Sequence, residues 1–208
     1  MTTSTPIPTT RITPSTTRIP QAEIRGVVGA LLKRFSRKQL GTVPEPAKVF
    51  WHHRKVLTDM ASFGRKVQKW DRLDADLKTF AHMAVAAQVG CSWCLDFNYF
   101  HAHNQGLDEV KASEVPRWRE SAVFTSLERD VLEYAEAMTE TPPQVTDELA
   151  ARLLDQLGAP ALIELTAVVG FANLSTRGNV AMGIESEELS SVCALPLARP
   201  AARSSASA

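Results

Sequence analysis

Cys91-Ser92-Trp93-Cys94 sets two thiols three residues apart, directly after Val89-Gly90 and an Ala-rich apolar run. Thiols at this spacing can close a disulfide, hold a metal ion or run a dithiol–disulfide relay. The chain has three cysteines, the other being Cys193, so the pair is not part of a disulfide scaffold. Gly90 predicts a helix stop before the pair and a new helix opening at it. There the first backbone N–H groups are unpaired and the macrodipole is positive, which favours a thiolate. Such a thiolate can attack a peroxide or an external disulfide, and the second thiol then resolves the sulfenic acid or mixed disulfide.

A relay of this kind needs groups that move protons. The candidates are His82, nine residues before Cys91, and His101, seven residues or about two helical turns after Cys94. Tyr99 is a further proton-bearing group, whereas Asp96 is turned away from Cys94 by its two-residue offset on a helix. Zinc ligation by Cys91, Cys94, His101 and His103 fits poorly, because His101 and His103 point apart on one helix. Leu95 stands where a haem-attachment motif needs His, so attached c-type haem is excluded. No metal and no cofactor is expected. Trp93 reads as packing, His52 and His53 as surface or interface residues, and Cys193 as a free thiol without a role. Asn173 and Arg177, four residues apart, read as a polar pair bracing the site. Glu187 and Glu188 sit too near the chain's end to suggest acid–base catalysis.

The elements that must position these residues read as helices almost throughout, an all-α helical bundle. Glu23 to Lys38 spaces Ile24, Val27, Val28, Leu31, Leu32 and Phe35 at the three-to-four interval of an amphipathic helix. Pro44 and Pro46 break it, and a second helix is predicted over 47–68 with Phe50, Val56, Leu57, Met60 and Phe63 inward. Asp74 caps a third running to Gly90, and the cysteine helix ends at Gly106. Thr125 and Glu128 form a capping box for the helix Leu127 to Met138. Thr146 opens the next helix and Gly158 ends it. Pro160 then starts a long helix, apolar nearly all round, to be buried between others or in a subunit contact. No segment alternates as a strand, and no dinucleotide or phosphate-loop glycine motif is present.

With 208 residues the chain suits one domain. The expected organisation is a leader over 1–20, a single all-α domain over 21–186 and a disordered tail over 187–208. Lys plus Arg and Asp plus Glu both number 23, so net charge is zero, and neither nucleic acid nor a basic partner is indicated. No uninterrupted apolar run reaches bilayer-spanning length and no signal-peptide core opens the chain, so no membrane is expected. Arg11 and Arg18, without acids between them, faintly resemble a transit peptide; a reducing cytoplasm is the default compartment.

The ordered series Ala84-Val85-Ala86-Ala87-Gln88-Val89-Gly90-Cys91-Ser92-Trp93-Cys94-Leu95-Asp96-Phe97, then Gly106-Leu107, Ser126-Leu127-Glu128-Arg129 and Ala135-Glu136-Ala137-Met138-Thr139 carries a family resemblance. It continues through Leu162-Ile163-Glu164-Leu165 and Asn173 to Gly183. The chain resembles the carboxymuconolactone decarboxylase family, in particular its alkylhydroperoxidase D-like branch, over most of 45–185. The resemblance implies an all-α fold, a homo-oligomer (trimer or hexamer) and thiol-dependent reduction of hydroperoxides by a dithiol relay fed by a dithiol reductant. By analogy Cys94 attacks and Cys91 resolves. The branch carries a Glu twelve residues before the first cysteine and a His four after the second; here Thr79 and Asn98 stand there, and neither titrates near neutral pH. His82 and His101 are then the substitute proton carriers. The alternative is a non-redox lyase, decarboxylase or isomerase on the same fold, using His for proton transfer. A non-catalytic oligomeric scaffold is the third reading.

Overall fold

A computed structural model describes residues 17–199, which hold helices, turns and coil and no strand. Most of the expected leader and the last nine residues of the expected tail lie outside the described residues.

The centre is α4, Ala75–Val89. Asp74 starts it by accepting the Asp76 N–H at 2.8 Å, and Gly90 ends it in the left-handed region at φ 81°. Phe80, Ala81, Met83, Ala84 and Val85 are fully buried, so the helix is walled in on more than one side. It packs against α5 (Ser92–Gln105), α7 (Ser126–Thr139) and α8 (Asp147–Met182). The alanines of α4 let these neighbours approach closely, and Phe80 meets Phe124 edge-on at 6.0 Å. Leu132, Leu153, Leu165 and Val169 complete the core. Each such side chain contributes about 1.5–3 kcal/mol by leaving water.

The caps follow the sequence closely. Both bonds of the Thr125–Glu128 capping box open α7, and Thr146 Oγ1 accepts the Leu149 N–H at 3.2 Å to open α8. Gly158 at φ 74° breaks α8 internally, with Pro160 restarting the turn. By length and composition α8 could cross a bilayer. Within the fold it packs on α4 and α7. Its Glu164 carboxylate pairs with Lys78 at 3.3 Å and accepts the Arg72 N–H at 2.8 Å, while Lys78 also donates to the Trp70 carbonyl at 2.5 Å.

Three features depart from what spacing alone implies. The predicted second helix is α2 (Glu45–Phe50), a single 3-10 turn and α3 (Arg54–Lys69). His53 leaves helical geometry (φ −131°, ψ 78°), and its Nδ1 accepts the Val56 N–H to cap α3. A short helix, α6 (Glu109–Glu114), follows Asp108, whose carboxylate accepts the Lys111 N–H. Finally α1 (Gly26–Leu40) turns its stripe outward: Val27, Val28, Leu31 and Phe35 are 60–79% exposed. Its narrow side docks instead, with Gly29 so close to Ile24 that a Cβ there would sit 2.9 Å from the Ile24 side chain. Ile24 packs with Val43, Ala47 and Trp51 in a small second core.

The stretch 187–199, expected as tail, lies against α5. The Asp96 carboxylate, buried, accepts Ser186 Oγ–H and the N–H groups of Leu189 and Ser190 at 2.8–2.9 Å. Further along, the Tyr99 hydroxyl donates to the Leu195 carbonyl at 2.7 Å and the Ala198 N–H donates to the Ser113 carbonyl. Composition hides this strap, because many of its anchors are backbone N–H and C=O groups, with Leu189 and Leu197 adding apolar contact.

Candidate active site

The turn between α4 and α5 builds the thiol site. Gly90 allows the reversal, and the Cys91 N–H donates back to the Ala86 carbonyl at 2.9 Å. Cys91 is thereby the N-cap of α5, and its Sγ accepts the Cys94 N–H at 3.3 Å. Cys94 sits one turn in, and the amide of Asn179 on α8 donates to its Sγ at 3.3 Å. Both thiols are reduced and buried, 1% and 2% exposed. Burial therefore does not tell the two sulfurs apart.

The two thiols differ electrostatically. The Cys91 thiol is lowered below the ordinary range, first by the hydrogen bond from the Cys94 thiol and then by backbone N–H donors and Asn179, against the cost of burial. Cys94 is pushed up, first because its thiol donates to Cys91 and also by burial and the Cys91 charge. The pair therefore holds its first negative charge on Cys91, where the helix-opening N–H groups converge.

Thr79 and Asn98 are each tied to their own helix. Thr79 Oγ1 donates to the Ala75 carbonyl at 3.0 Å, and Asn98 Nδ2 donates to the Cys94 carbonyl at 2.7 Å, each one turn back on its own helix. Neither His82 nor His101 bonds a thiol among the described contacts. His82, on α4, meets the Phe171 ring edge-on at 6.1 Å; burial and then His101 lower it to about 4, so it is neutral at physiological pH. His101 stacks on Phe97, which stacks on Trp93, and bonds Gln105 at 2.8 Å. Burial lowers His101 as well. Trp93 does more than pack: its indole N–H donates to Glu187 at 2.9 Å.

Asn173 and Arg177 do form the expected pair, at 3.1 Å, and both reach Thr139 on α7. The residue that reasoning from sequence missed is Asn179. It lies in the stretch carrying the family resemblance, two residues after Arg177, but only the packing of α8 on α5 brings it to a thiol.

Two clefts of about 400 and 390 Å³ flank Ser92. One lies between α5 and the strap, lined by Leu95, Asp96, Ser186 and Leu197. The other is lined by Gly90, Val180, Gly183 and Arg18, whose guanidinium donates to the Val180 and Ala181 carbonyls. Neither thiol lines these two clefts, and both are buried.

A model of the carboxymuconolactone decarboxylase family matches residues 55–137. The uncharacterized protein YnjA of Escherichia coli strain K12 is 34% identical, over 77% of this chain and 87% of its own. Among solved structures, an alkylhydroperoxidase AhpD core from Ralstonia eutropha, described as an uncharacterized peroxidase-related protein, superposes with a TM-score of 0.75 at 16% identity, covering 87% of this chain and 98% of that one. A Cys-to-Ala variant of the debrominase Bmp8, in complex with 2,3,4-tribromopyrrole, superposes with a TM-score of 0.72 at 17% identity, over 83% and 95% of the two chains. At these identities the solved structures share the helical fold.

Proposed function

The chain belongs to the carboxymuconolactone decarboxylase family, and from that premise we propose that it is a thiol-dependent peroxidase reducing hydroperoxides through a Cys91–Cys94 dithiol/disulfide cycle. The observation that carries this reading is the Cys91 Sγ at the α5 N-cap, accepting the Cys94 N–H with the second thiol beside it.

In the cycle, the Cys91 thiolate attacks the outer oxygen of the hydroperoxide and breaks the O–O bond. Cys91 becomes a sulfenic acid, and the departing alkoxide takes a proton from water to leave as the alcohol. The Cys94 sulfur then attacks the sulfenic sulfur and forms the disulfide. Its thiol proton joins the departing hydroxide as water. A dithiol reductant returns both thiols by exchange. Cys91 attacks and Cys94 resolves here, the reverse of the order inferred by analogy, because the charge-stabilising donors converge on Cys91. Asn179 positions Cys94, and His82, neutral at pH 7, is the candidate base on α4.

The outward apolar residues of α1, together with Ile163 and Leu174 of α8, support assembly as a homo-oligomer. A reducing compartment such as the cytoplasm suits a pair held as free thiols.

Steady-state turnover of an alkyl hydroperoxide with a dithiol reductant tests the reading. Cys91→Ser and Cys94→Ser should each abolish turnover. The neutral, desolvated imidazole of His82 favours one second reading, non-redox proton transfer on the same fold. Full activity of the double serine variant on a lactone or keto-acid substrate would establish that reading and remove the first.

A further inference from the structure

Away from the dithiol, the strap carries Cys193 onto the end of α5. We propose that His103, Glu109 and Cys193 form a divalent transition-metal site of the zinc class, which pins the strap to the α5–α6 corner. One ligand atom from each residue lies within 4.8 Å of the other two. The three come from separate pieces of chain: the last turn of α5, the first turn of α6 and the strap. His103 Nδ1 already faces Glu109 Oε2 at 3.1 Å.

The surroundings prepare the carboxylate. The Leu195 N–H donates to Glu109 Oε1 at 3.1 Å, and the Tyr99 hydroxyl lies 3.3 Å from that oxygen while donating to the Leu195 carbonyl. Oε1 is held from behind, which leaves Oε2 directed at His103 and available to a cation. Support of this kind is what orients metal-binding carboxylates elsewhere. All three ligands are partly buried, so the site is sheltered and still reachable from solvent.

A thiolate, an imidazole and a carboxylate suit zinc and its cobalt surrogate far better than magnesium or calcium, which prefer oxygen alone. Three protein ligands leave the fourth tetrahedral position to water. His103 Nδ1 and Glu109 Oε2, 3.1 Å apart, are already at the spacing of neighbouring zinc ligands, and every ligand atom lies within 4.8 Å of the others. Binding exchanges the Cys193 thiol proton for the cation and releases that proton to solvent. The set weighed from sequence spacing and judged a poor fit was Cys91, Cys94, His101 and His103. The fold draws His103 away from that set and towards Glu109 and the strap.

The test uses the full-length chain carrying Cys91→Ser and Cys94→Ser, so that the dithiol cannot bind metal. Titration with Co²⁺ should give one equivalent bound, with a thiolate-to-cobalt charge-transfer band. That band should vanish on adding Cys193→Ser. Tyr99→Phe, which removes only the hydroxyl supporting Glu109, should weaken Co²⁺ binding roughly 10–100-fold with the helical circular dichroism unchanged. Zn²⁺ should slow amide exchange across residues 189–195. Absence of the charge-transfer band, its persistence without Cys193, or exchange in the strap that ignores Zn²⁺ would each overturn the proposal.

Discussion

Replacing Asn179 by Leu removes the one side-chain amide that donates to the thiol pair while keeping nearly the same volume. The Asn179 Nδ2 lies 3.3 Å from Cys94 Sγ, and its dipole favours negative charge on both sulfurs. Because Asn179 bonds the neutral partner of the Cys91 thiolate, the ordinary hydrogen-bond contribution of about 0.5–1.5 kcal/mol applies, and each pKa unit is about 1.4 kcal/mol. Its loss should therefore raise the first ionisation of the pair by up to about 1 unit. Below that ionisation, the rate of peroxide attack should fall several-fold, up to about tenfold. Thiolate ultraviolet absorbance, followed against pH and referenced to Cys91→Ser, reads the ionisation without needing access to the buried sulfurs. An unchanged titration in a folded Asn179→Leu protein would refute the electrostatic account of the site.

Two further outcomes follow from groups around the thiols. Asp96→Ala strips three donors of their buried acceptor, so thermal stability should drop by an amount on the order of 3 kcal/mol and amide exchange over 186–198 should accelerate; unchanged strap protection would contradict the anchoring role. His82 has a folded pKa of about 4 against 6.5 unfolded, so the unfolded chain takes up the proton first as pH falls. Stability should be fully present above about pH 6.5 and decline towards pH 4 by roughly 3 kcal/mol, and His82→Leu should flatten that slope in denaturant melts; an identical slope in the variant would show that His82 is not desolvated.

The start and stop of α4, α7 and α8 were legible because each rests on a local signal. Asp74, Gly90, the Thr125–Glu128 box, Thr146 and Gly158 act within one turn of themselves, and all perform as their types dictate. The break at His53 was not legible, since Trp51-His52-His53 contains neither Gly nor Pro and its side-chain cap competes only weakly with helix continuation. The outward stripe of α1 shows the limit of periodicity: spacing identifies an amphipathic face without saying what that face meets. At the site, the helix-opening position of Cys91 was readable from Gly90 alone. Asn179 and the Asp96 anchor were not, because each contact joins residues more than eighty positions apart and exists only once α8 and the strap have packed on α5.

The central claim is that Cys91 and Cys94 complete a two-electron peroxide reduction between them. Fully reduced protein mixed with one equivalent of alkyl hydroperoxide should lose two thiols per chain and release one equivalent of alcohol. Peptide mass spectrometry should find Cys91 joined to Cys94, with Cys193 still free. Retention of both thiols in excess hydroperoxide would contradict the account.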